Sequence, residues 1–313
     1  MEEEKYNRIE QNIIRKYNNE TAKQIEPFEQ ERLGYLRRYN LTTKIIWGAF
    51  FLTVIVIIYW IFINGKPFSP RIILRIAIGF LVLWTMACKN IGKDFKYDLK
   101  SNIVPIICKS FPNLRWITRQ SNTKQEYKKS AVIPDFENIK YEDCFIGKYK
   151  NTDFLIEEVE TTVGRGKKTT ATFTGVIIQF ELLIKNPKLH TIIQPSTEFH
   201  HCRLKHLKYA ESIDFDENEK YDIFTNDETQ TKNYITKSFI EIINILKKTY
   251  EAKNVYIAFF EGRFYLGLFT YKKLMQTGSL TKPVYTNNQF EDFTKEIVSV
   301  LKIIDYFNNY IEI

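Results

Sequence analysis

Apolar positions are spread unevenly along this chain. Ile45–Ile63 is a run of 19 residues without a charge, and Ile72–Cys88 a run of 17 with one, Arg75. Only Asn64–Arg71 separates them. A helix that crosses the hydrocarbon core needs roughly 20 apolar residues, and a buried core helix rarely lacks a polar face. The two runs therefore predict a transmembrane helical hairpin. Arg75 lies one turn from the start of its run, close enough to snorkel back to the head groups. The segment before the first run, Met1–Lys44, is long and highly charged, and no small-residue cleavage site follows that run, so a signal peptide is not expected.

Outside the hairpin the apolar pattern is amphipathic. Tyr6, Ile9, Ile13 and Tyr17 recur at helical spacing, which predicts an N-terminal helix with one apolar stripe. Pro27 is expected to end or restart it. That stripe suits a solvated lead-in or a helix that docks on a partner, on the bilayer or on the chain itself. A basic stalk follows the hairpin, with helical character around Tyr97–Lys109 and then Pro112. The polar run Gln120–Lys129 reads as a loop or linker, so the folded body is expected to start near Ile133.

In the body, Asp153–Thr162 and Thr169–Ile184 are rich in β-branched and aromatic residues and flank Val163–Lys168, a turn of hairpin length. Leu189–Gln194 reads as a further strand closed by Pro195. Val255–Phe260 and Arg263–Thr270 flank Glu261-Gly262 as a second hairpin. Two helices are predicted. Asp227–Tyr250 starts with Thr225 and Glu228 at capping-box spacing, and Gln289–Phe307 carries a single apolar stripe. Strands and long helices without strict alternation predict an α+β fold with antiparallel strands. The expected organisation is a helical segment over 1–43, a hairpin over 44–90 (spans 45–63 and 72–88), a stalk and linker over 91–132, and an α+β domain over 133–313.

The formal net charge of +8 invites a nucleic-acid reading, but its placement argues otherwise. Residues 1–90 carry 13 basic and 8 acidic side chains, residues 91–129 carry 9 and 3, and residues 130–313 carry 23 and 26. The excess thus sits beside the hairpin, where basic residues near an anionic leaflet gain about 1 kcal/mol each. Arg37, Arg38, Lys44, Lys89, Lys93 and Lys96 are the expected lipid-facing set. Cytoplasmic flanks carry the positive excess, which predicts that both termini are cytoplasmic and the short loop external. The loop's own Lys66 and Arg71 weaken that bias without reversing it.

Candidate chemistry is sparse. All four histidines fall between His190 and His206, and with Cys202 they form His200-His201-Cys202-x-x-x-His206. Imidazole and thiolate are good zinc ligands, so His200, Cys202 and His206 are candidate metal ligands. A second ligand pair at a usual spacing is missing, and Arg203 and Lys205 crowd the segment, so a basic surface loop is the plainer expectation. Gly164–Lys168 resembles a phosphate loop only in composition, because a strand rather than a helix follows it. Glu157, Glu158 and Glu160, and the acidic loop of Asp214, Asp216, Glu217 and Glu219, are expected to be solvated surface. The cysteines show no paired spacing, and a cytoplasmic body would keep them reduced, so no disulfide is expected. No catalytic residue and no cofactor are expected.

Tyr141-Glu142-Asp143-Cys144-Phe145-Ile146-Gly147-Lys148-Tyr149 leads into a strand with Glu157 and Glu158. Phe173-Thr174-Gly175-Val176-Ile177 follows, then Tyr221-Asp222-Ile223-Phe224-Thr225-Asn226-Asp227-Glu228, and Tyr234-Ile235-Thr236 opens a helix. This order resembles the bacterial domain-of-unknown-function family 3137, sometimes labelled galanin-like, roughly from the stalk to the end. The resemblance implies an N-terminal helix, two adjacent membrane spans and a C-terminal α+β body. The family has no established activity, so it supplies no catalytic residue.

These readings converge on a non-enzymatic interaction or scaffold module at the cytoplasmic face of a bacterial inner membrane. Its expected partners are the bilayer and a protein partner or second copy, with no nucleic acid. The alternative is a membrane-tethered enzyme or metal-binding sensor that uses segment 190–206.

Overall fold

The helical segments come first in the chain, and their breaks fall where side chains turn inward. The computed structural model describes residues 2–65, 69–117, 123–164, 166–183, 186–196, 204–216, 219–275, 280, 282–283 and 285–309. Helix α1 (Glu2–Lys16) passes through a π-helical turn, Tyr17–Thr21, into α2 (Ala22–Asn64). Tyr17 stacks on Phe290 with ring centroids 3.7 Å apart, and Thr21 shares a 2.7 Å hydrogen bond with Ser110. The extra residue of a π turn re-aims these side chains. Pro27, expected to end or restart the helix, instead lies inside α2. The irregularity falls roughly two to three turns earlier, at the π turn.

Helix α3 (Pro70–Cys108) follows. At 1.5 Å per residue, α2 and α3 are each roughly 60 Å long, about twice the thickness of a hydrocarbon core. Their apolar stretches contain both expected spans. All but four of the exposed large apolar side chains among the described residues lie between Leu41 and Met86. The two helices are long and apolar enough to cross a membrane. They pack through Phe50 and Phe80, edge to face at 5.5 Å, and Trp84 donates its indole N–H to Thr43 at 3.3 Å. Nearer the start of α2, Arg32 donates to the Leu280 carbonyl at 2.8 Å.

The chain divides into two compact units: residues 1–21, 107–276 and 287–313, and residues 22–106 with 277–286. The first unit holds a nine-stranded sheet: β1 (Leu114–Ile117), β2 (Asn138–Tyr149), β3 (Thr152–Val163), β4 (Thr170–Glu181), β5 (His190–Pro195), β6 (Lys208–Asp216), β7 (Glu219–Thr225), β8 (Asn254–Phe260) and β9 (Arg263–Phe269). The strand order is β1-β2-β3-β4-β9-β8-β5-β7-β6, with every pair antiparallel. The protein is thus α+β, as the pattern predicted. The stretch 107–132, expected within the stalk and linker, lies in this unit and contributes β1 and α4 (Lys124–Ser130). The run read as a loop is therefore partly helical, because fully buried Tyr127 anchors α4 on the sheet.

Successive strand residues point to opposite faces, and here both faces are covered. On one face α7 (Asn287–Asn309) and α6 (Lys237–Thr249) pack aromatic rings on the strands. Phe307 meets Phe180, Phe259 and Phe264, Phe239 meets Phe259 and Phe264, and Phe293 meets Phe145. Helix α1 lies against α7, so the N-terminal helix docks on its own chain. On the other face Tyr127, Val132, Ile133 and Phe136 pack on Val159, Phe173, Ile177 and Tyr265.

The helix predicted over Asp227–Tyr250 is two helices, α5 (Glu228–Tyr234) and α6. Its N-cap is Asp227, which accepts from the Gln230 N–H at 3.0 Å, rather than Thr225. Thr236 caps α6 by accepting from the Phe239 N–H at 3.3 Å. Two capping residues nine apart, each in an extended conformation, start two helices. In the β8–β9 hairpin, Glu261 and Gly262 have φ of 49° and 74°, the pair of positive values that a two-residue type I′ turn needs.

Candidate functional site

Strand β3 carries the first departure from expectation. Glu157 and Glu158 are buried, not solvated, because β3 lies inside a sheet covered on both faces. Glu160, nearer the strand's end, is half-buried beside Lys140. Glu157 points under α4, where its Oε2 accepts from Tyr127 at 2.5 Å and from Thr123 at 2.8 Å. Burial first, and then this carboxylate, push the Tyr127 phenol well above its usual range. The Cys144 thiol, on the neighbouring strand opposite Glu157, is raised for the same two reasons and is inert as a nucleophile.

Glu158 faces the opposite side, where Lys273 reaches its Oε1 at 2.5 Å and the Leu274 N–H donates to Oε2 at 3.3 Å. Lys273 also meets Glu142 at 2.7 Å, and Lys140 meets Glu142 at 2.8 Å. Burial opposes ionisation of Glu142, but the two lysines outweigh it and hold its carboxyl down to about 2. The adjacent Lys272 points the other way, to Glu296 of α7 at 3.0 Å and to the Thr249 carbonyl at 3.0 Å. Glu296 lines a cleft of about 550 Å³ with Glu251, Lys253, Tyr271, Gln289 and Asp292. Burial pushes the Glu296 carboxyl up to about 8 despite Lys272. At neutral pH Glu296 is therefore largely a neutral acid hydrogen-bonded to a lysine.

A further buried carboxylate, Asp305 of α7, accepts from Lys5 at 2.5 Å, Tyr6 at 2.7 Å and Tyr149 at 2.9 Å, and Lys150 lies 2.5 Å from its second oxygen. These carboxylates act as clamps. Glu157 holds α4, Glu158 and Glu296 hold the segment after β9, and Asp305 holds α1. A second cleft, of about 630 Å³, is lined by Arg115, Lys148, Asp153, Gln179, Glu181 and Arg263.

The histidines make a different arrangement. His190 opens β5, its backbone N–H donating to Asn226 at 2.9 Å, its ring 4.6 Å from Phe260 and only 4% of its surface exposed. Its Nε2 lies 3.1 Å from the Ser130 carbonyl and its Nδ1 3.0 Å from Nε2 of His206. A carbonyl only accepts, so the Nε2 carries the proton and the Nδ1 lone pair faces His206. Burial lowers the His190 pKa and keeps the ring neutral.

His206 is thus placed beside His190, which the candidate ligand set omitted. The confinement of every histidine to 190–206 was the available signal. The candidates His200 and Cys202 lie outside the described residues. No group of three or more His, Cys, Asp or Glu suited to a metal occurs among the described residues. Arg37, Arg38, Lys44 and Lys89 are exposed on α2 and α3, while the side chains of Lys93 and Lys96 lie outside the described set. Gly164 and Gly166–Lys168 form the β3–β4 turn, as expected. Gly164 is required there, with φ of 91° and room for a Cβ only 2.2 Å from the Lys168 carbonyl oxygen. Asp214, Asp216 and Glu219 belong to the ends of β6 and β7, and Glu219 pairs with Lys247.

Fold and site together define an α+β body on an antiparallel sheet, joined to two long apolar helices. Residues 171–309 match the family model described as Protein of unknown function (DUF3137), the family the sequence resembles. The Phe173–Ile177, Tyr221–Glu228 and Tyr234–Thr236 stretches lie within that match, whereas Tyr141–Tyr149 and the stalk precede it. No curated protein matches the chain. A solved structure of the mycobacterial trehalose monomycolate transport factor A aligns over 61% of this chain and 88% of its own, with 5% identity and a TM-score of 0.33. A likeness at that level carries no argument for fold or function.

Proposed function

We propose that this chain is a membrane-anchored interaction module, its hairpin crossing a bacterial inner membrane twice and its sheet body held at the cytoplasmic face. The observation that carries this reading is the concentration of exposed apolar side chains between Leu41 and Met86 on two adjacent helices. In water such a surface is far larger than monomers tolerate; in lipid it is the expected lining. The positive flanks support two cytoplasmic termini. Anchoring raises the local concentration of the body near membrane partners. The internally clamped carboxylates fit a rigid platform rather than a reaction centre.

The full chain in native membranes is expected to resist alkaline carbonate extraction, with its body open to protease only in inside-out vesicles. Extraction by carbonate, or a body digested only in right-side-out vesicles, would overturn the anchor or its orientation. Exchanging Arg37, Arg38, Lys44 and Lys89 for Gln in the full chain is expected to reduce the anionic lipid that copurifies with it. Each position contributes about 1 kcal/mol near the surface, and an unchanged lipid content would remove lipid contact from the reading. Crosslinking in native membranes tests for the partner, with a reproducible stoichiometric protein or self-crosslink as the expected product.

A further inference from the structure

We propose that His190 Nδ1 and His206 Nε2 form a two-nitrogen site for a divalent transition cation of the imidazole-binding kind, such as Zn²⁺ or Cu²⁺. This is independent of the membrane anchor and stands or falls separately.

Three features of the pair converge on it. First, the orientation of His190 is fixed from behind. Its Nε2–H donates to the Ser130 carbonyl at 3.1 Å, the outer-shell contact that metal-bound histidines nearly always make, and one that sets the tautomer and aims the other nitrogen. Packing against Phe260 holds the same ring from the side. Second, the spacing is right for one shared ion. Two bonds of about 2.0–2.1 Å place their nitrogens roughly 2.9 Å apart at a right angle and roughly 3.3–3.4 Å apart at a tetrahedral angle. The observed separation is 3.0 Å, inside that range, so one ion can reach both nitrogens without drawing the two rings apart. Third, the partner that would move is the accessible one. His190 is buried, while His206 is exposed at the surface, which gives an ion an entry path.

The proton accounting closes within the pair. In the empty pair His206 donates its Nε2–H to His190. On binding, His206 shifts that proton to its own Nδ1, both nitrogens present lone pairs, and neither ring changes charge. Imidazole nitrogen favours Zn²⁺, Cu²⁺ and Ni²⁺ over the hard cations Mg²⁺ and Ca²⁺. With two protein nitrogens, water fills the remaining positions, so the site is open rather than a closed structural centre.

The test is calorimetric titration of the purified full chain with Zn²⁺ alone, beside the electron paramagnetic resonance spectrum of one equivalent of Cu²⁺. The expected result is saturable one-to-one binding and a Cu²⁺ spectrum with coupling to two imidazole nitrogens. His206→Ala, at an exposed position and so expected to fold, should weaken Zn²⁺ binding more than about tenfold, because even outer-shell losses cost 10–100-fold. His190→Gln, if it folds, should do the same. The absence of saturable binding would overturn the proposal. So would binding that His206→Ala leaves unchanged while Cys202→Ala abolishes it, which would move the ion to the 200–202 segment.

Discussion

Asp305→Ala is expected to release α1 from the body and to cost about 2–4 kcal/mol of stability. Asp305 is only 2% exposed, yet it meets Lys5 and Tyr6 of α1, Tyr149 at the end of β2 and Lys150 in the turn that follows. Hydrogen bonds to a charged group contribute about 1.5–3 kcal/mol, and removing one partner of a buried pair costs about 3–5 kcal/mol. Lys5 and Lys150 are nearly half exposed and recover some hydration when the carboxylate is lost, which places the expected cost below the sum of those figures. The Tyr6 hydroxyl is buried with its helix and recovers less. The effect should be local as well as global. Amide exchange over Lys5–Tyr17 should accelerate at least about tenfold relative to the central strands β4 and β9, since segments open separately when their anchors are cut. Uniform acceleration across the body, or no change in α1, would show that Asp305 is not the anchor.

The same group gives a pH signature. Burial pushes the Asp305 carboxyl up, but Lys150, Lys5, Tyr6 and Tyr149 outweigh it and hold its pKa below the usual value. A folded pKa below the unfolded one means that the contribution is present above about pH 3.9 and is lost as pH falls through the folded value. Asp305→Asn should therefore differ from the parent at neutral pH and converge with it in strong acid.

Much of this architecture is written locally. The apolar runs that became α2 and α3, the alternation in β3 and β4, and the Glu261-Gly262 turn need only near neighbours to be read. Features that depend on distant partners were not legible. β1 has four residues and exists because Leu114–Ile117 pairs with Cys144–Gly147. β6 carries Lys208, Glu211 and Asp214 and looks like loop, because an edge strand keeps one side in water. β5 lies between β8 and β7 rather than beside β4, an order that no local pattern encodes. For Glu157 and Glu158 the charge itself misled. Their lysine, tyrosine and threonine partners come from 30 to 115 residues away, and without them burial would have been too costly to expect. The His190–His206 contact failed in a subtler way. Segment 190–206 stood out, but which of its residues meet depends on how β5 and the chain before β6 are placed.

Glu296→Gln is expected to stabilise the protein at alkaline pH by about 2–3 kcal/mol and to leave it near parity at pH 5. Glu296 is 1% exposed, and burial raises its pKa to about 8. The nearby carboxylates of Asp292 and Glu251 add to the rise, while Lys272 opposes it. Because the folded pKa exceeds the unfolded value of about 4.3, the folded state holds the extra proton between those pH values. Stability therefore falls as pH rises through that window, and the loss is complete above about pH 8. The full shift would correspond to about 5 kcal/mol at 1.4 kcal/mol per unit. Relaxation and water entry from the cleft around the ionised carboxylate soften the cost of a buried charge, so about half that loss is expected to survive. Glutamine keeps the acceptor for Lys272 and does not titrate, so the variant escapes the loss. Thermal midpoints of the full chain at pH 5, 6.5, 8 and 9 should show a gap that opens with pH in favour of the variant. A gap that stays constant would mean that Glu296 is ionised throughout. The cleft beside α7 would then hold a permanent ion pair instead of a neutral acid, and the anchoring of the segment after β9 would rest on charge at every pH.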